Sequence, residues 1–396
     1  MKIRFLLLNA FTVGGTVRTV VNQANALAEA GHEVEIASVW RRREEPAFPI
    51  DRRIRVHALV DASPAAPVWR KRLEALAMRS ASRLVPRTEV RYSRFNRLTD
   101  RRLVKYLSTL EGGVLITTRP ALNLLSAQYA PRSVVRVGQE HLHYEHHKPD
   151  LARALRAGYR QLDALAVLTE ADEQSYRSVL DGSGVRIARI PNALAEARPQ
   201  PSALDRPLVV AAGRLVKAKG FDHLITAFDD VVREHPDWQL RIFGAGPEKD
   251  RLRDLIHTRH LYNHVYLMGP TSHLDEELAK ASMFVLASRH EGFGMVLAEA
   301  MSHGVPAVSY DCPHGPREII TDGDDGLLVP PQDRPGLTAA MNRLIDDPDL
   351  RITMGERARA SSERYAMESI RPRWEALFGE LLAARSDREA AGPHAA

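Results

Sequence analysis

The feature that most restricts this chain is an alternation of short apolar runs with helical stretches, and the alternation occurs twice. In the first half the runs are Lys2–Asn9, His32–Val39, Ile54–Val60, Val114–Thr118, Val134–Val137, Ala164–Thr169 and Ile187–Pro191. After the first of them Val17, Val20, Val21, Ala24, Leu27 and Ala28 recur at helical spacing, and Gly31 ends that helix because glycine accepts a left-handed cap. Strands that alternate with helices pair in parallel, so the expected class is α/β. The stretch Ala193–Pro207 is poor in large apolar residues and carries Pro199, Pro201 and Pro207, which reads as a linker. A second alternation follows, with strands expected at Leu208–Ala212, Leu240–Phe243, Val265–Met268, Met283–Ala287, Ala307–Tyr310 and Gly326–Val329. Near the end Trp374, Leu377, Phe378, Leu381 and Leu382 form an amphipathic stripe. Residues 387–396 are small and polar, and predict a disordered tail. A chain of 396 residues fits two domains better than one core.

Several function classes are disfavoured at this level. Neither half shows G-x-G-x-x-G after its first strand, and the turn Asn9-Ala10-Phe11-Thr12-Val13-Gly14-Gly15 has the wrong spacing, which argues against a nicotinamide enzyme. The apolar run at the start is broken by Asn9, too early for a secretory signal, and no run of about 18 apolar residues occurs to span a bilayer. A single cysteine, Cys312, rules out an internal disulfide and fits a reducing compartment; with no visible nucleophilic partner it reads as a packed thiol. The expected location is cytoplasmic, with attachment at the inner face of the cell membrane as an added expectation. That addition comes from charge. The net charge is +5, yet the segment Arg70–Lys105 alone holds twelve cationic and three acidic residues, so the rest of the chain is slightly acidic. Leu73, Leu76, Leu84, Tyr92, Phe95, Leu98 and Leu103 interleave with those cations. Such a segment suits an anionic membrane or a polyanionic glycopolymer, or is simply a solvated helical face. No nucleic-acid motif accompanies it, so nucleic acid is not expected as a partner.

The residues that carry chemistry lie in the second half. Ser288-Arg289-His290-Glu291-Gly292-Phe293-Gly294-Met295-Val296-Leu297-Ala298-Glu299 runs from a strand through a glycine loop into a helix. Glycines at 292 and 294 let a ligand approach the backbone, and a helix start offers free N–H groups and a positive dipole end to a phosphate. A glutamate beyond the first turn, Glu299, is placed to accept hydrogen bonds from ribose hydroxyls. The bland alternative is an ordinary strand–turn–helix with solvated acids. The block Gly213-Arg214-Leu215-Val216-Lys217-Ala218-Lys219-Gly220 likewise follows a strand and opens a helix. Arg214 grips phosphate oxygens as a fork and Lys219 adds a mobile point charge; together they would stabilise a departing diphosphate. Taken singly, each is a surface charge.

In combination these blocks resemble family 4 of the retaining glycosyltransferases, which have the GT-B fold. Glu291 and Glu299 match the family's Glu-x7-Glu signature, and Gly213, Arg214, Leu215, Lys219 and Gly220 match its Gly-Arg-Leu…Lys-Gly donor motif. Gly244-Ala245-Gly246-Pro247, Gly304-Val305-Pro306 and Asp322-Gly323…Gly326-Leu327-Leu328-Val329 match further segments. The likeness is strong from about Arg206 to Pro330 and looser before it. Asp311–Ile320 resembles a segment of polymer- and exopolysaccharide-building relatives.

The resemblance implies two Rossmann-like domains facing across a central cleft: an acceptor-binding domain over 1–195 and a nucleotide-sugar-binding domain over 206–368. A helix over 369–386 would pack back towards the first domain. It implies transfer of a sugar, with retention, from a UDP- or GDP-sugar to a hydroxyl acceptor in cell-surface polysaccharide, glycopolymer or glycolipid synthesis, with no cofactor required. Arg214 and Lys219 would hold the diphosphate, Glu299 the ribose, and Glu291 would sit by the transferred sugar. Gly244, Gly292, Phe293, Gly294, Met295 and Val296 would complete the donor site from that domain. Gly14 and Gly15 match the family's diglycine loop, with Arg18 a weaker phosphate candidate, and His141 matches the histidine that contacts the reacting sugar. The reacting centre would thus hold Arg214, Lys219, Glu291 and His141. No metal is expected, because His141, His143, His146 and His147 lack acidic or cysteine partners at a recognised ligand spacing and no Asp-x-Asp motif is evident in the first half. Two rival readings are a GT-B-type sugar-nucleotide epimerase and a non-catalytic sugar-nucleotide-binding protein.

Overall fold

The computed structural model describes residues 1–194 and 199–390, without the side chains of 68, 70–73 and 388–390. It divides into two compact units, one made of Met1–Ala195 and Met367–Ala396, the other of Glu196–Ala366.

The first unit is built on seven strands: β1 (Lys2–Leu7), β2 (Glu33–Arg41), β3 (Arg55–Asp61), β4 (Val114–Thr117), β5 (Val135–Gln139), β6 (Ala164–Val167) and β7 (Arg186–Arg189). Their order is β3-β2-β1-β4-β5-β6-β7, every neighbouring pair parallel. Helices α1 (Gly15–Glu29), α2 (Val68–Arg79), α3 (Arg97–Ser108) and α4 (Pro120–Tyr129) are among the connections. Because helices cover both faces, the central strands are buried without alternation: β1 from Ile3 to Leu7, with Arg4 bonded to the Glu111 and Gly112 carbonyls, and β4 throughout.

The second unit repeats the plan with β8 (Leu208–Ala212), β9 (Gln239–Phe243), β10 (Val265–Gly269), β11 (Met283–Leu286), β12 (Ala307–Tyr310) and β13 (Gly326–Val329), in the order β10-β9-β8-β11-β12-β13, again all parallel. Each sheet therefore reverses its winding once, beside β1 in the first and between β8 and β11 in the second. In open α/β sheets, ligands bind at the carboxyl ends of strands flanking such a reversal.

Two stretches differ from the sequence reading. Residues 199–207 are not a free connection. Ser202 donates from its amide to the His303 carbonyl at 2.8 Å and from Oγ to the Ala281 carbonyl at 2.7 Å, so the polar residues that look like a linker are spent on docking to the second unit. Residues 195–198 of that stretch lie outside the described residues. The last helix runs over Met367–Ala390, so residues 387–390, read as tail, continue it, while 391–396 lie outside the described residues. Its charged, small-residue composition is compatible with a helix once the preceding turns are anchored.

That anchoring is apolar. Ile370, Trp374, Leu377, Phe378 and Leu381 are buried in one cluster with Ile3, Phe5, Val20, Ala24, Leu27 and Ile190 of the first unit. The Trp374 and Phe378 rings lie 5.7 Å apart. Among the described residues no helix is long and apolar enough to cross a membrane. Truncating Trp374, 2% exposed, removes a large buried ring and leaves a cavity. Trp374→Ala is expected to destabilise the first unit by about 3–5 kcal/mol, read as a lowered urea midpoint.

Candidate active site

The two sequence blocks of the second unit follow the two strands at its winding reversal, so topology alone brings them together. Chain geometry makes the approach unusually close. Gly220 has φ +63°, and a Cβ there would lie 1.9 Å from the Ala287 carbonyl oxygen. Only glycine allows the loop after β8 to lie against the end of β11. Arg289 then laces the loops: its amide donates to the Ala218 carbonyl at 2.8 Å, and its guanidinium reaches the Lys217 carbonyl and both carboxylate oxygens of Asp222 at 3.1 Å. The loop after β9 joins the same packing. A Cβ on Gly244 would lie 1.8 Å from the Gly213 carbonyl oxygen, and one on Gly246 2.2 Å from that of Leu215.

This packing sets the charges. Glu291 is 8% exposed, and its Oε1 accepts from Lys219 Nζ at 2.5 Å and from Ser288 Oγ at 2.6 Å. The acid and the lysine that the sequence separates by 72 positions form one ion pair. The Lys219 stem lies across Gly213, where an added Cβ would meet its Cδ and Cε at 3.5 Å. Arg214, the next residue, is exposed and makes no ion pair among the described residues. The site thus holds one neutralised cation and one open to solvent, a pattern suited to a dianion arriving from outside.

Around this pair the glycine loop is ordered from below. Phe293 is buried, its ring edge-on to Tyr365 at 5.6 Å and 78°, so it turns its side chain inward and leaves its backbone at the loop. Gly294 has φ +92° and caps the helix Met295–Ser302, which no side chain caps and no acid precedes in its first turn. The first amides of that helix, at Met295 and Val296, therefore start a dipole with no internal counter-charge. Glu299 is half-buried one turn further on. Behind the loop Cys312 is buried, and its thiol is pushed up to about 12, by desolvation first and then by the nearby Glu291 charge; it is a packed thiol, not a nucleophile.

The remaining candidates belong to the first unit. In the loop after β1, Phe11 N is held by Asn9 Oδ1 at 2.9 Å and Ala10 N by Ser38 Oγ at 2.9 Å. Beyond them Gly14 and Gly15 are different: a Cβ on either would meet nothing within 4 Å, and Gly14, at φ 173°, is merely extended. The fold does not require glycine there. Arg18 is half-buried on α1. His141 follows β5, beside a buried network in which Thr117 Oγ1 donates to Asn123 Oδ1 at 2.6 Å, and Asn123 Nδ2 and Tyr159 OH donate to Glu140 Oε1. Desolvation raises the Glu140 carboxyl to about 8, against the hydrogen bonds from Tyr159 and Asn123. His141 is lowered to about 4, by desolvation and then by the Arg119 charge, and its Nε2 has no partner among the described residues. His143 is committed to Asp172 at 2.6 Å. A sequence reading misses Ser288, Arg289 and the Glu140 network as supports; only their adjacency to quoted motif residues hints at them.

The two parallel sheets and the crowded loops at the second unit's winding reversal define a chain of the GT-B class. Solved structures agree at the level of fold: TarM of S. aureus, crystallised as a mutant with fondaparinux, alpha-GlcNAc-glycerol and UDP, superposes with a TM-score of 0.74 at 17% identity, covering 96% of this chain and 100% of that one. More specifically, residues 195–361, a stretch that takes in most of the second unit, match the family described as Glycosyl transferases group 1. Among curated relatives, an exopolysaccharide phosphotransferase of Streptomyces coelicolor is 41% identical over 399 residues, covering 98% of this chain; the chain spans 41% of that relative's length. An uncharacterized glycosyltransferase of Haemophilus influenzae is 26% identical over 384 residues, covering 95% of this chain and 99% of its own.

Two outcomes follow from the geometry. Gly220→Ala should perturb the second unit, seen as a lower melting temperature, whereas Gly14→Ala and Gly15→Ala should leave stability within about 0.5 kcal/mol and act on turnover alone. The His141 ring, followed by proton–nitrogen NMR, should stay neutral down to about pH 5 and titrate near 4.

Proposed function

We propose that this chain is a retaining glycosyltransferase that moves a sugar from a nucleoside-diphosphate sugar, UDP- or GDP-linked, to a hydroxyl acceptor in polysaccharide, glycopolymer or glycolipid synthesis. The observation that carries the reading is the Lys219–Glu291 pair beside the open Arg214 at the second unit's winding reversal. A diphosphate brings more negative charge than one carboxylate, so it competes for Lys219 and takes Arg214 as its fork. Glu291, released in part, then faces the sugar, and Glu299 takes the ribose hydroxyls. Gly244, Gly292, Phe293 and Gly294 offer backbone without side chains in the way, and the amides of Met295 and Val296 meet a phosphate at the helix start.

In this reading the acceptor oxygen attacks the anomeric carbon on the face that the diphosphate leaves. The carbon–oxygen bond to phosphate breaks with its electron pair going to the diphosphate, which takes the acceptor's hydroxyl proton. Arg214 and Lys219 stabilise the charge that grows there. His141, neutral at working pH, is the first unit's candidate for a hydrogen bond to the reacting sugar, and Gly14 and Gly15 leave room for donor or acceptor. No metal or other cofactor enters the chemistry, and the reaction sits in the cytoplasm, where the unpaired Cys312 stays reduced. Support from relatives is of two kinds: the TarM complex holds UDP with an alpha-glycoside, and the Streptomyces coelicolor relative is named for exopolysaccharide.

The test is a panel of sugar nucleotides and hydroxyl acceptors. Nucleoside diphosphate should be released only when an acceptor is present, and NMR of the product should show the donor's anomeric configuration kept. Lys219→Ala and Arg214→Ala should each lower kcat about 10²–10³-fold, the range for losing one donor to a developing anion. Isomerised donor without release, an inverted product, or transfer of a phosphosugar would each overturn the reading.

A further inference from the structure

The basic segment of the first unit is not neutralised by its own acids. Glu74 is paired with Arg102 at 2.7 Å. Glu89 is buried, bonded to the Arg91 amide and to Arg119 Nε at 3.2 Å. Asp100 is buried as well, accepting from Ser82 Oγ at 2.6 Å and the Arg83 amide at 2.9 Å. All three acids thus face inward. Arg79, Arg83, Arg87, Arg91, Arg94, Arg101 and Lys105 are exposed, and none forms an ion pair among the described residues. The side chains of Arg70, Lys71 and Arg72 lie outside the described residues.

Exposed among these cations are large apolar side chains that the fold has no use for. Trp69 is 66%, Leu76 80% and Val90 70% exposed. Trp69 and Leu76 stand seven positions apart on α2, two turns along the same face, while the helix packs Ala77 and Met78 inward. An ordinary surface helix puts polar residues on its outer face. The basic stretch also reaches the carboxyl end of the sheet: Trp40, at the end of β2, donates from Nε1 to the Arg94 carbonyl at 2.8 Å, and the exposed Arg42 lies over the Trp40 ring at 5.1 Å.

We propose that α2 and the arginine-rich stretch after it dock on a bilayer containing anionic phospholipid, with Trp69 and Leu76 entering the headgroup boundary and the arginines meeting lipid phosphates. A soluble polyanion would satisfy the arginines and leave Trp69, Leu76 and Val90 in water. The membrane interface satisfies both sets at once. The docking needs no donor sugar, so it stands or falls apart from the transferase reading.

The protein carries its own probe. Of its four tryptophans, Trp40, Trp238 and Trp374 are buried and Trp69 is exposed. Vesicles of phosphatidylcholine with phosphatidylglycerol at low salt should pull the full chain down and shift its tryptophan emission to the blue. Pure phosphatidylcholine should do neither, and Trp69→Phe should abolish the shift. Leu76→Glu, and separately Arg83→Glu with Arg87→Glu and Arg91→Glu, should weaken vesicle binding by about tenfold or more while circular dichroism and the melting temperature stay unchanged. Absence of sedimentation at low salt, native binding by Leu76→Glu, or an equal blue shift with soluble polyphosphate would overturn the proposal.

Discussion

The second unit depends on a backbone contact that only glycine permits. With no Cβ at Gly220, the loop after β8 rests on the Ala287 carbonyl, and everything chemical nearby inherits that closeness. Lys219 reaches Glu291 because its neighbour is pressed against the end of β11, and Arg289 ties the same two loops through Ala218, Lys217 and Asp222. The packing of backbone on backbone is stiff in a way that side-chain contacts are not, so a pair of charges set on it keeps its geometry without a ligand.

The glycines of the chain divide by what surrounds them. At 220, 244 and 246 an added methyl would run into a carbonyl, and glycine is demanded by the fold itself. At 14 and 15 an added methyl would meet empty space, so the small residue serves something other than packing. Within one chain the same residue type therefore marks either a structural crossing or an opening, and the surroundings, not the sequence, tell which. Similarly, neighbouring Glu140 and His141 are driven in opposite directions by burial, since desolvation favours the neutral form of each.

Much of the architecture was legible in the sequence because parallel sheets covered on both faces write their strands as uninterrupted apolar runs. The strands of the described residues fall at such runs or, as at β3 and β7, at mixed stretches rich in apolar residues, with ends shifted by a residue or two, as at β2, which extends to Trp40 and Arg41 through pairing with β3. The motif blocks were legible for a related reason: each is a strand, a glycine turn and a helix start in continuous sequence. What escaped were relations between distant positions. Nothing local says that Lys219 and Glu291 share a bond, that Arg289 is a brace, or that Tyr159 and Asn123, itself held by Thr117, converge on Glu140. The proline-rich stretch misled in part, since composition cannot show that Ser202 is hydrogen-bonded to residues some eighty to a hundred positions away.

The last helix has a consequence for how the chain is made. Ile370, Trp374 and Phe378 complete a core whose other members come from both halves of residues 3–193, so the second unit is an insertion inside the first. During synthesis the inserted unit has all its residues before its host does, and domains tend to fold as soon as they are whole. The amino-terminal sheet must wait, with apolar side chains of α1 uncovered, until the helix Met367–Ala390 has been made.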